Sequence, residues 1–376
     1  MTRQWRLNRY LPKPWQKATV ALTLLSAGLF AYVNSSPLDR PLNDKEQAML
    51  TPLLQHPTPR CVGLYLIDLP ADFIVDEGMF LLLDDRTKME SREQYRPPFN
   101  QLIQRREQEL KTTETDDPLD KPFLKKVHPL PEGMVGTVFE RNENSYKPDV
   151  ARILEAYKWD AGVTFKIEMK ARDGRSSRYD LNRSRYGTDV FNYNVPEKLT
   201  TVQNLLRRTT AREDTVIPNQ PGFCIRRGFI AGKPIESYDF GMGYVHSHVK
   251  NLVVGFSSND YQSTGDTLLE QDERVIGQGK YHTLHKGKRE INGLAIEEWL
   301  LGGEVTEREY ITPPYNEYFF YLKYNQLNPT AQQPRFEITL YYKTENLTPE
   351  ETLSEAQLTA VWKAITSTLR IRPGAI

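Results

Sequence analysis

The chain has 376 residues, 39% of them hydrophobic, and its 49 basic and 49 acidic side chains balance at pH 7. That balance gives no ground for nucleic-acid or other polyanion binding. With 20 Tyr, 15 Phe and 5 Trp there is material for large cores, and the length exceeds what one core usually organises, so two domains are expected.

Residues 1–36 carry Arg3, Arg6, Arg9, Lys13 and Lys17, contain no acidic residue, and include an uncharged run over 18–33. A basic n-region followed by an apolar h-region marks an export or membrane-insertion segment. The run of 16 residues lies just above a usual signal core and just below the roughly 17 to 25 residues that a spanning helix needs. Cleavage and retention as an anchor both fit. Ala31 and Ser35 are small enough for cleavage, but there is no A-x-A triplet and no nearby cysteine to accept a lipid. Setting those five cations aside leaves a net charge near −5.

The stretch 36–60, rich in Pro, Leu and Gln, reads as a tether with a helix over 42–55 that ends before Pro57 and Pro59. Strands are expected over 61–67 and 79–83, followed by an amphipathic helix over 99–113 with Phe99, Leu102, Ile103 and Leu110 on one face. Segments 133–139, 150–159 and 163–171 form a strand meander separated by turns such as Asp160-Ala161-Gly162. A helix then starts at Pro196 with Leu199, Val202, Leu205 and Leu206 on one side, and Pro218-Asn219-Gln220-Pro221-Gly222 breaks the pattern.

After the break, Cys224-Ile225-Arg226-Arg227-Gly228-Phe229-Ile230 resembles the earlier Cys61-Val62-Gly63-Leu64-Tyr65-Leu66-Ile67, which points to a duplicated architecture. Strands follow over 235–240, 252–256, 294–301, 305–311, 318–324 and 335–342. A helix over 350–369, capped by Thr348 with Glu351 three residues on, buries Leu353, Leu358, Val361, Trp362, Ile365 and Leu369. Both halves read as α+β, each an antiparallel sheet covered by one or two helices. In an oxidising compartment Cys61 and Cys224 pair; otherwise each is a small buried hydrophobe.

Catalytic signatures are absent: the sequence has no G-x-S-x-G, H-E-x-x-H, G-x-x-x-x-G-K-[ST] or G-x-G-x-x-G. Gly241-Met242-Gly243 lacks the third glycine of a phosphate cradle. His246 and His248 would share one face of a strand, with His282 or His285 as further zinc ligands, although no carboxylate flanks the pair closely. Glu297 and Glu298, interleaved with Leu294, Ile296, Trp299 and Leu301, read as one outward-facing and one paired carboxylate rather than as a general acid.

One stretch, 172–194, is too polar for a core and carries Arg175, Arg178, Arg183 and Arg185 with Tyr179, Tyr186 and Tyr193. Arg and Tyr anchor protein interfaces. Arg175, Arg178, Tyr179, Arg183, Arg185 and Tyr186 are therefore candidate partner-binding residues, against the plainer reading of a long solvated hairpin. Asp173, Asp180 and Asp189 offset the charge, which does not suit nucleic acid.

Pro59-Arg60-Cys61-Val62-Gly63 through Ile67-Asp68-Leu69-Pro70, Gly222-Phe223-Cys224-Ile225 through Gly228-Phe229-Ile230, and the ending Leu369-Arg370-Ile371-Arg372-Pro373-Gly374-Ala375 together resemble the type VI secretion lipase immunity proteins of the fourth class. Leu64 stands where that family leads one to expect Arg, and Arg226-Arg227 where a polar or acidic pair is usual, departures that bear on partner choice more than on fold. The resemblance implies a periplasmic protein whose two lobes, 37–216 and 217–376, grip a cognate phospholipase effector like a claw and obstruct its lid and active-site access. No cofactor is expected, and membrane contact would come only through residues 18–33 if they are retained as an inner-membrane anchor. A periplasmic adaptor and a metal enzyme using His246 and His248 are the other readings.

Overall fold

The computed structural model describes residues 41–376 apart from 85–86, 188, 262–264, 278–279 and 306–313. The segment 1–36 and most of the strand expected over 305–311 lie outside the described residues.

Helix α1 (Asp44–Leu53) opens on a capping box between Asn43 and Glu46. The hairpin β1 (Thr58–Val62) and β2 (Tyr65–Leu69) replaces the single strand expected over 61–67. It turns at Gly63, whose φ of +58° favours glycine and where an added Cβ would lie 3.2 Å from the Phe223 ring. Then come β3 (Phe73–Leu83), β4 (Thr87–Glu93), α2 (Arg96–Thr112), β5 (Leu124–Pro129), β6 (Val135–Asn142), β7 (Ala151–Asp160), β8 (Val163–Arg172), the short α3 (Asp180–Tyr186), α4 (Val195–Arg208) and β9 (Thr209–Ala211).

The second half runs β10 (Gly222–Ile225), β11 (Gly228–Ala231), β12 (Tyr238–His246), β13 (Leu252–Asn259), α5 (Glu273–Ile276), β14 (His282–Ile291), β15 (Leu294–Val305), β16 (Tyr315–Tyr324), β17 (Arg335–Lys343), α6 (Glu355–Thr366) and β18 (Arg370–Ile371). Helix α6 is shorter than the helix expected over 350–369. The Thr348 N–H does reach the Glu351 carboxylate at 3.0 Å, but this closes a separate turn. The helix starts at Ser354, where a capping box with Gln357 satisfies the first free N–H groups.

The two sheets expected of the two halves run on into one. From the junction outward, the twelve-stranded sheet is β3-β4-β8-β7-β6-β5 on one side and β12-β13-β17-β16-β15-β14 on the other, so the halves repeat one topology. Strands β3 and β12 pair antiparallel from Tyr238↔Leu83 to His246↔Phe73. Each covers an edge that would otherwise be an unpaired row of backbone groups. Antiparallel pairing of equivalent strands relates the halves by an approximate two-fold. The halves also exchange strands: β9, which ends the first, pairs with β11 of the second, and β18, which ends the second, pairs with β2 of the first.

The small sheets meet at the junction. Cys61 and Cys224, equivalent in the repeat, form a disulfide, and Gly63 and Cys224 exchange two backbone hydrogen bonds of 2.9 Å. Two buried arginines follow the exchanged strands. The Arg212 N–H donates to Arg227 O at 3.0 Å and its side chain to Asp214 O and Val216 O. In the same way the Arg372 N–H donates to Leu64 O at 2.9 Å and its side chain to Pro218 O, Gln220 O and Gly222 O. These guanidiniums satisfy buried carbonyls that no strand reaches.

One core spans both halves beneath the inner face of the sheet. Tyr65 packs 4.2 Å from the Phe336 ring and donates to Pro334 O, while α4 lies on β7 and β8 and Trp362 of α6 meets Phe320 edge-on. Of the departures from the family pattern, Leu64 and Arg226 are buried in the junction, contrary to the partner role expected of them, whereas Arg227 is half-buried and pairs with Glu93 at 2.7 Å.

Candidate partner interface

The outer face is covered at its ends. At one end α2 lays Phe99 and Leu110 on Phe139 and Tyr157; at the other, Leu268, Ile276 and Tyr281 cover Trp299 and Leu301. Between them the central strands are open, with Ile74 53% and Phe80 47% exposed.

Strand register arranges this face in rows. Ile74, Val245, Val253, Tyr341, Phe319 and Leu301 lie directly across from one another on six successive strands, an apolar lane that begins exposed and ends beneath the α5 segment. Beside it runs Gly243, Gly255, Thr339, Tyr321 and Trp299, whose two glycines leave a trough in the centre of the sheet. An added Cβ at Gly243 meets nothing closer than 3.5 Å, so the trough has room there, whereas at Gly255 the Thr339 hydroxyl would lie 2.6 Å away. The expected strands stop short of part of this surface, since Ile74 lies outside 79–83 and Gly243 and Val245 outside 235–240, and cross-strand neighbours depend on register, which no single strand shows.

At the lane's exposed end β3 bulges through Asp76, Glu77 and Gly78 opposite Gly243, and its pairing with β4 is confined to Leu81↔Met89 through Leu83↔Thr87. Arg226 fills the split from the inner side. It donates to Glu77 O at 2.6 Å and Ser91 O at 3.0 Å and pairs with the Glu77 carboxylate, while its own carbonyl accepts from Ser91 Oγ at 2.6 Å. Burial would raise the Glu77 pKa, but Arg226 and Arg227 hold it below the usual carboxylate value. Above Arg226 lies a cavity of about 440 Å³ lined also by Arg92, Leu102, Tyr157 and Lys166.

The stretch 172–194 is folded, not a solvated hairpin: a turn at Ser177–Tyr179 leads into α3, and Asp173 bridges back to Tyr193. Tyr179 is buried, donates to Asp149 at 2.6 Å and stacks near Phe191. Arg178 pairs with Asp120 and with Asp149 at 2.8 Å, and Arg183 binds Gly174 O and Asp180. Burial would raise the Asp149 pKa, but Tyr179, Arg152, Lys125 and Arg178 hold it low. Arg175 pairs with Asp173 and lies 3.6 Å from the Tyr193 ring centre. Arg185 and Tyr186 alone of the six candidates face solvent without an internal role. Nothing local to 172–194 shows that Asp120 and Asp149, 58 and 29 positions before Arg178, claim its charge.

The histidines do not converge. His246 ends β12, and its Nδ1 accepts the N–H groups of His248 at 3.2 Å and Val249 at 3.0 Å, so the ring caps the turn into β13. Burial lowers its pKa against the opposing charge of Asp72. His248 has left the strand and points to solvent near Asp72. His282 and His285 lie on β14, five strands away. Among the described residues no three His, Cys, Asp or Glu side chains group as metal ligands. Gly241 and Gly243 sit inside β12, where they cannot form a phosphate-cradling loop. Glu297 and Glu298 of β15 are both paired: Glu298 with Arg289 and Trp362 under the sheet, Glu297 with Lys288 at 3.1 Å and Gln326 at 3.0 Å on its outer face.

Fold and surface together define a duplicated α+β protein that presents the open face of a joined sheet. Residues 58–212 match the Tle cognate immunity protein 4 N-terminal domain and residues 216–374 the Tle cognate immunity protein 4 C-terminal domain. The chain belongs to that family. The fold is similar to that of the apo immunity protein TplEi of the type VI secretion system from Pseudomonas aeruginosa, with a TM-score of 0.63 and 19% identity over 84% of this chain and 97% of that one. A chain in the crystal structure of the Tle4-Tli4 complex gives the same values, a TM-score of 0.63 and 19% identity over 84% and 97%. TplEi complexed with "L" peptide has a TM-score of 0.59 and 20% identity over 85% and 99%. No curated protein sequence matches the chain.

Proposed function

We propose that the protein is an immunity protein that binds a cognate periplasm-acting type VI secretion phospholipase effector and blocks its lid or active-site access. The observation that carries this reading is the match of both halves, in order, to the two domains of one immunity family. A fold shared with a chain solved in a Tle4-Tli4 complex supports it. The units 37–216 and 217–376 act as one gripping body, since the joined sheet and exchanged strands resist their separation. The open lane from Ile74 to Phe319 is the contact surface at the centre, with Arg175, Arg185 and Tyr186 as a second contact at the folded tip. The protein performs no reaction of its own.

The sequence of residues 1–36 supports delivery to the periplasm, either released or tethered by 18–33. The test is co-purification with the product of a neighbouring gene that encodes a G-x-S-x-G lipase, together with protection of cells producing that lipase in the periplasm. Failure of the full chain to bind or to protect would end the reading. Deleting residues 1–36 should abolish protection while leaving binding in vitro intact.

A further inference from the structure

Glu317 sits on the outer face of β16, where the carboxylates nearby are matched by cations: Glu337 by Lys323 at 3.2 Å and Glu297 by Lys288 at 3.1 Å. Glu317 is matched by tyrosines instead. Tyr341 donates to its Oε1 at 3.1 Å and Tyr315 at 3.4 Å, and Tyr281 donates to Oε2. Lys343, directly across the ladder, is drawn to Glu345. Lys280 also stands in the cavity wall.

The rings close a basket around this carboxylate. Tyr281 and Phe319 lie 5.2 Å apart, Phe319 and Tyr341 4.9 Å apart, and Tyr321 lines the same cavity of about 250 Å³. Burial and the Glu317 charge raise the pKa of Tyr281 and Tyr341, so both hydroxyls remain donors. Aromatic faces and an anion both attract a cation. Each tyrosine that gives its proton to Glu317 keeps oxygen lone pairs that accept further N–H groups. A cation with several N–H donors can use them; a quaternary ammonium cannot.

We propose that this tyrosine-ringed carboxylate receives a lysine or arginine side chain of the bound protein partner. The inference rests on the function proposed above, and the position of the basket supports it. Phe319 and Tyr341 belong to the apolar lane that starts at Ile74, so a protein laid along the open face reaches the basket at the lane's covered end.

The test titrates the full chain with n-butylguanidinium, n-butylammonium and tetramethylammonium chlorides at constant ionic strength, following the cation's proton resonances. The two N–H cations should bind saturably with upfield ring-current shifts, and Glu317→Gln should weaken them roughly tenfold. Phe319→Leu, which keeps the carboxylate and removes one wall, should shrink the shifts. Absence of saturable binding, or binding undiminished in Glu317→Gln, overturns the site; tetramethylammonium binding as tightly as the others overturns its assignment to an N–H cation. With the effector, Glu317→Gln should weaken capture by a similar factor. Unchanged capture by that variant removes the basket alone, whereas no capture by the unmodified chain removes the function on which it rests.

Discussion

Replacing Arg226 by Met tests whether the split between β3 and β4 is held from inside the fold. Methionine keeps most of the buried stem and removes the guanidinium. The ion pair to Glu77 contributes little, because that carboxylate is 76% exposed and screened by solvent. What remains are two hydrogen bonds from a charged donor to Glu77 O and Ser91 O, worth about 1.5 to 3 kcal/mol each. The adjoining cavity admits water to these carbonyls, so no further penalty for unmet acceptors is added. The expected loss is about 3 to 6 kcal/mol, a fall in Tm of roughly 4 to 8 °C for a protein of this size. Urea unfolding measures the loss, and amide exchange should quicken at Glu90 to Glu93. An unchanged midpoint would refute the clamp, and so would an equal loss from Glu77→Gln, which removes only the exposed ion pair.

Four other outcomes are expected. Gly243→Leu fills the trough where an added Cβ meets nothing closer than 3.5 Å, so it should weaken effector binding while leaving the urea midpoint nearly unchanged; intact affinity would move the contact off this face. Arg178→Glu should destabilise by about 2 kcal/mol or more, since it sets a third acid against Asp120 and Asp149, whereas Arg185→Glu with Tyr186→Ala should affect binding and not the midpoint. The Cys61–Cys224 disulfide joins residues 163 positions apart, so the Cys61→Ser, Cys224→Ser double variant should lose up to about 5 kcal/mol in the chain-entropy model, read from denaturant curves. Burial would raise the Glu155 pKa, but Arg106, Arg141 and Tyr157 pull it from 4.5 down to about 2. Because the folded pKa is the lower one, this contribution of about 3 kcal/mol is complete above pH 4.5 and is lost as pH falls toward 2. Glu155→Gln should flatten that part of the acid-unfolding profile; an unaltered profile would refute the assignment.

Parts of the fold were readable because they rest on local chemistry. The meander over β6, β7 and β8, the amphipathic helices α2 and α4 and the strict alternation of β17 carry their periods in the residues themselves. Strands β4, β5 and β14 were missed: each has charged residues on its solvent side and few apolar ones opposite, so the period is faint. The error in α6 came from two capping signals six residues apart, of which only packing selects one.

By itself the sequence determined the leader pattern, the α+β class, the paired Cys motifs of the duplication and, through three short motifs, the family. The tertiary structure decided which of the six loop candidates face outward, because distant Asp120 and Asp149 neutralise Arg178 and Asp149 accepts a hydrogen bond from the Tyr179 hydroxyl. It decided that Arg226 closes a split in the sheet. It also decided that residues from six strands line up as one lane, from Ile74 to Leu301, with Glu317 beside its covered end. Side-chain type and period are written along the chain, whereas register, strand exchange and charge pairing are relations between segments that can lie 300 residues and more apart, as Asp68 and Thr368 or Glu46 and Gln357 do.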